Sequence, residues 1–71
     1  MKPAEARRLA TEKTASELDL AIEHLSDERD PHFSIAGDDH GEMLTNALLA
    51  KRIRERIDRG EDGKEAFRTV M

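Results

Sequence analysis

Residues 38–60 read DDHGEMLTNALLAKRIRERIDRG, the longest stretch of the chain free of proline and of internal breaker clusters. Wound as a helix at about 100° per residue, it places Met43, Ala47, Ala50, Ile53 and Ile57 in one stripe. Leu44 and Leu48 widen that stripe on one flank, and Leu49 widens it on the other. A helix apolar over so much of its circumference has to be covered on more than one side, so the rest of the chain is expected to pack around it. Asp39 stands at the N-cap with Glu42 three residues on, and the early acids suit the positive end of the helix dipole. Gly60 closes the helix as glycine does in a left-handed cap. The reading is one long central helix over about residues 39–59.

Shorter elements flank it. Thr14 and Glu17 have the spacing of a capping box, which opens a helix from about Ala15 to Leu25. Leu18, Ala21, Ile22 and Leu25 share one face of it, with Leu20 on the other side as an ordinary exposed leucine. Upstream, Pro3 suits the first turn of a short helix ending near Thr11, which buries little besides Leu9 and alanines. Downstream, Asp62 and Glu65 open a short last helix with Ala66, Phe67 and Val70 inward, folded back on the central one across a very short connection. Residues 26–31 are a polar stop ending in Asp30-Pro31, a pair that disfavours helix. His32 to Ala36 alternates, and with no partner strand it is read as a loop that plugs Phe33 and Ile35 into the helices. The expectation is therefore a single all-α domain over residues 1–71: four helices around the central one, with an irregular or extended segment at 31–37. Its core is Leu18, Ile22, Leu25, Phe33, Ile35, Met43, Ala47, Ala50, Ile53, Ile57 and Phe67. The chain stops at Met71 inside the helical pattern with no cap, so either the protein ends bluntly there or the chain is a piece of a longer one.

Composition narrows the classes. Nine of the 26 hydrophobic residues are alanine, which leaves little large apolar surface for a core and makes self-association a plausible source of extra stability. The chain has no cysteine, hence no disulfide and no thiolate metal site. No apolar run is long enough for a membrane span, and the first ten residues carry charge where a signal peptide needs an apolar core. A soluble, cytoplasmic, bacterial-type protein is expected. Phe33 and Phe67 are the two aromatic residues, too few for modules that stack nucleobases. The net charge of −4 is unevenly spread. Residues 14–46 hold nine acids against one arginine, a sum of −8, while residues 47–60 hold five bases against two acids, a sum of +3.

These residues bear on four kinds of chemistry. His24, His32, Asp38, Asp39, His40 and Glu42 gather imidazoles and carboxylates suited to a divalent metal. Among them His32, Asp38 and His40 are the metal candidates, and a small regulatory protein binding a metal or an anion through this loop is the alternative function. The spacing matches no metal motif, and acids at a helix start serve as caps, so no metal or cofactor is expected. Arg52, Arg56 and Arg59 share one side of the central helix and could meet phosphates. Glu55 lies four residues after Lys51 and three after Arg52, and the acidic middle repels a polyanion, so a salt-bridged solvated face is the better account and nucleic acid is not the expected partner. No nucleophile has a base partner, no phosphate loop or cofactor motif is present, and a deep pocket does not fit, so an enzyme is not expected. What remains is association. Leu44, Leu48 and Leu49 cover more of the central helix than three short neighbours readily hide, and they form the candidate interface, with a protein partner or a second copy in a homodimer.

At GDDHGEMLTNALLA (37–50), followed by IDRG (57–60) and KEAF (64–67), the chain resembles a family of small bacterial proteins of unknown function. The shared features are an acidic loop, a Gly-Glu helix start and a G…EA hairpin, and the likeness runs from about Thr14 to the C-terminus. These motifs are mostly caps and turns. The family carries no assigned activity, so the resemblance implies the helical layout and lends no catalytic or binding residue.

Overall fold

In the computed structural model, which describes residues 2–71, every other helix packs on the third. The order is α1 (Pro3–Glu12), α2 (Ala15–Ser26), α3 (His40–Asp58) and α4 (Gly63–Val70), and no strand occurs among the described residues. The central helix begins as its caps dictate. The Asp39 carboxylate accepts the Glu42 N–H at 2.9 Å. The Glu42 carboxylate reaches past the cap to the Asp38 N–H at 2.7 Å, one residue further upstream than a simple capping box. At the far end Gly60, at φ +103°, lets its own N–H bond Ile57 and the Glu61 N–H bond Arg56, the two bonds of a Schellman close.

α2 opens with the full capping box, Thr14 and Glu17 each holding the other's backbone N–H. It closes with a second Schellman pair, Glu28 N–H to Leu25 and Arg29 N–H to His24, but the residue at φ +58° is Glu28 rather than a glycine. At α4 the Asp62 carboxylate bonds the Lys64 N–H, while Glu65 turns to Arg68 instead of completing a box. α1 has no side-chain cap of its own at its start, and Arg54 of α3 donates to the Ala10 carbonyl near its end at 3.1 Å.

The core is narrower than expected. Leu18, Leu25, Ile35, Ala47, Ala50 and Ile53 are buried, as are Ala6, Leu9, Ala10, Ala21 and Ala66. Ile22, Phe33, Met43, Ile57 and Phe67 are half-buried and pack against that centre from its rim. Six of the eleven buried apolar residues are alanine, so five larger side chains, Leu9, Leu18, Leu25, Ile35 and Ile53, fill the centre and the others sit at its edge. The irregular segment does insert Ile35 fully, while Phe33 stays at the rim with the Lys13 ammonium 4.5 Å from its ring centre.

A polar side chain shares the core. Asn46 of α3 is completely buried; it accepts the Lys2 N–H at 2.9 Å and donates to the Ala36 carbonyl at 2.8 Å. Beside it the Glu5 carboxylate takes the Ala36 N–H at 2.7 Å and both the Nε and Nη2 of Arg8, and Arg8 reaches the Ser34 carbonyl at 3.0 Å. Segment 34–36 is thus fastened from both sides, by α1 and by α3. Gly37 (φ +154°) follows at once, and a Cβ there would lie 2.9 Å from the Met43 nitrogen, so the loop can cross the start of α3 only at a glycine.

Candidate functional site

With three helices packed on α3, one strip of it stays open. Gly41, Thr45, Leu48, Arg52, Glu55 and Arg59 are all exposed. They follow one another at alternating intervals of four and three residues, the spacing of a single straight seam on a helix. Leu48 is its apolar centre and, at 47% exposure, the most exposed large hydrophobic side chain on the helix. Leu44 and Leu49, expected to join it in an interface, are half-buried and pack against the core. The other exposed large apolar side chains, Leu20 and Met71, belong to other elements.

The C-terminal half of the strip is basic. Arg52, Arg56 and Arg59 line an open cleft of about 350 Å3 against Thr69 and Val70 of α4, with Glu55 on the same wall. The expected local salt bridges do not form. Lys51 pairs with Asp19 of α2, which raises the lysine's proton affinity, rather than with Glu55. Arg56 pairs with Glu61 across the α3–α4 turn at 2.9 Å. Among the described residues, Arg52 and Arg59 have no carboxylate within salt-bridge distance.

The histidines are tied to Asp30 and to one another rather than to a common metal position. His40 Nε2 bonds Asp30 at 2.9 Å, His24 Nδ1 bonds the Asp30 carbonyl at 3.1 Å, and the His24 and His32 rings meet edge to face at 4.5 Å. Asp39 is committed to its cap, and the Asp38 backbone is held by Glu42. His32, Asp38 and His40 are therefore not brought to one point, and among the described residues no three histidine or carboxylate groups are placed to hold a metal ion.

The shifted proton affinities trace to structural contacts. Hydrogen bonding from Arg8 holds the Glu5 carboxyl below its usual range against the opposing effect of burial, and Glu5 in turn raises Arg8. Glu17 is lowered by the Thr14 N–H in the capping box. Each shift has its cause in a clamp or a cap, since structural ion pairs and hydrogen bonds perturb titration as well. Sequence periodicity missed Asn46 because it counts only apolar residues. It missed the open strip because it does not show which flank the neighbours leave bare.

Compared with known proteins, the chain matches over residues 1–71 the model of DUF6952, a family of unknown function. No curated protein and no solved structure matches it.

Proposed function

The chain belongs to this family of unknown function, and we propose that it works by contact rather than catalysis, as a small association module that self-pairs through the open strip of α3. The observation that carries this reading is Leu48, a large apolar side chain left 47% exposed at the middle of the longest helix. Burying it against a second copy removes apolar surface from water that the fold itself leaves wet. The helix supplies the length. Nineteen residues at about 1.5 Å each give about 28 Å, nearly all of the molecule's 32 Å long dimension. A single helix face about 10 Å wide then covers about 300 Å2 per copy, about 600 Å2 in all, which is below the roughly 1,000 Å2 of a stable interface and limits the pairing to the weak class.

Sedimentation of the full chain from about 10 μM to 1 mM, the range in which interfaces of that class dissociate, tests the reading. The expected result is a concentration-dependent dimer, and Leu48→Glu is expected to be monomeric throughout with unchanged helicity by circular dichroism. A wild-type chain that stays monomeric at about 1 mM overturns it.

A further inference from the structure

α1 and α4 each pack on α3, with little contact between the two. The crevice left between them holds two adjoining clefts of about 490 and 370 Å3, which share Arg7 and Phe67. Each is of the size that takes a small molecule. The smaller is lined by Arg7, Lys64, Phe67, Arg68 and Met71. Positions 64, 67, 68 and 71 fall on one side of α4 and its C-cap. Two bases and two apolar side chains therefore stand together there, with Phe67 half-buried and Met71 41% exposed.

The charges of this crevice do not balance. Glu12 is held by Arg8 at 3.2 Å and Glu65 by Arg68 at 3.4 Å. Among the described residues, Arg7 and Lys64 have no carboxylate within salt-bridge distance. The Arg7 guanidinium lies over Phe67 instead, 5.4 Å from its ring centre. Two uncompensated cations, in a chain of net charge −4, call for an anion. The aromatic floor beside them calls for an apolar group on the same molecule.

Independently of the reading that α3 self-associates, we propose that this crevice binds a small carboxylate-headed amphiphile, its head held by Arg7 and Lys64 and its hydrocarbon chain laid on Phe67 toward Met71. Residues seven apart on a helix are separated by about 10 Å, the reach of a medium-length chain. With the chain covering the ring, the Arg7 guanidinium is released to the carboxylate, where its planar fork makes two parallel hydrogen bonds. The aliphatic stems of Arg7 and Arg68 extend the apolar wall. A neutral amphiphile leaves both cations uncompensated, and a cationic one is repelled. The basic cleft at Arg52 has Val70 as its one apolar side chain and offers no such seat.

Titration of the chain with decanoate below its micelle concentration, followed by amide NMR shifts, tests this. Saturable one-to-one binding is expected, with a dissociation constant on the order of 1 mM or below and shifts centred on residues 4–12 and 64–71. Decanol and decyltrimethylammonium are expected to bind at least about tenfold more weakly. Arg7→Glu and Lys64→Glu, both at exposed positions, are each expected to lose about tenfold for decanoate with helicity unchanged. The double change is expected to prefer the cationic amphiphile, a reversal that a merely structural role of these side chains would not produce. Equal binding of decanol and decanoate by the wild type, or decanoate binding by the double variant at wild-type strength, overturns the proposal. So do shifts centred on Leu48. Leu48→Glu is expected to bind decanoate as the wild type does, so the crevice and the α3 contact can each fail alone. Binding to phosphatidylglycerol vesicles, with none to monomeric decanoate, overturns the crevice as a site for a free ligand.

Discussion

Asn46 ties the start of α1, the loop and α3 together with one amide. Removing it strands a donor and an acceptor at once: the Lys2 N–H and the Ala36 carbonyl. Asn46→Ala is expected to cost about 2–4 kcal/mol, combining unmet hydrogen bonds with a small cavity. That is a fall of more than about 10 °C in melting temperature for a domain this size, and a drop within about 2 °C would mean the amide is dispensable. The position was legible in one respect. Asn46 falls between Ile53 and Ile57 on the helical wheel, inside the apolar stripe, and a polar residue there signals a buried partner whose identity no spacing rule supplies. Glu5 is the second residue of the clamp. Its pKa in the folded chain lies below the ordinary 4.5, chiefly through Arg8. The stabilisation it contributes is therefore complete above that ordinary value and is lost as pH falls through the folded one. Glu5→Gln should flatten the pH dependence of the melting temperature below about pH 4.5; an unchanged acid limb would assign it to other carboxylates.

Among the elements, the starts of α2, α3 and α4 were readable because a cap is a local event, made by residues within three of one another. The exception was the end of α2. The polar stop was visible, but the left-handed residue within it was not, because Glu28 has none of the backbone freedom that marks Gly60. An L-residue in that conformation costs about 1–2 kcal/mol. Glu28→Gly is expected to relieve part of it, raising stability by about 0.5–1 kcal/mol after glycine's larger unfolded-state entropy is counted. A lower melting temperature for this variant would show that the Glu28 side chain contributes more than its backbone costs. The Arg54 bond to the Ala10 carbonyl of α1 joins residues 44 apart, and nothing near either residue announces it. Phe67 shows the same limit for packing. Its inward direction follows from periodicity, but its half-buried depth, with the Arg7 guanidinium of α1 5.4 Å from its ring centre, depends on a neighbour sixty residues away in the chain.

For the molecule as a whole, periodicity and caps sufficed for the all-α, four-helix layout. The bare face depended on which flank of α3 its neighbours chose. That choice moved Leu44 and Leu49 toward the core and left Leu48 outside. Association by this face should be sensitive to salt. Raising ionic strength from about 0.05 to 0.5 M shortens the screening length to a few ångströms and, because each strip carries Arg52 and Arg59 against one acid, Glu55, should tighten the dimer. The monomer's own melting temperature should move little, since exposed ion pairs such as Arg29 with Asp27 contribute under about 1 kcal/mol each. A dimer that weakens several-fold with salt would point instead to opposite charges across the contact.

The clamp on segment 34–36 also bears on the order in which the protein is made. α1 is synthesised before the segments it bonds, since its polar ties run to Ser34, Ala36, Asn46 and Arg54. Until those segments follow, the first helix lacks its polar partners, and ten residues are too few for a helix to hold itself together in water. The chain therefore cannot settle its N-terminal part in the order of translation. Its first helix waits for its third, and the two close together.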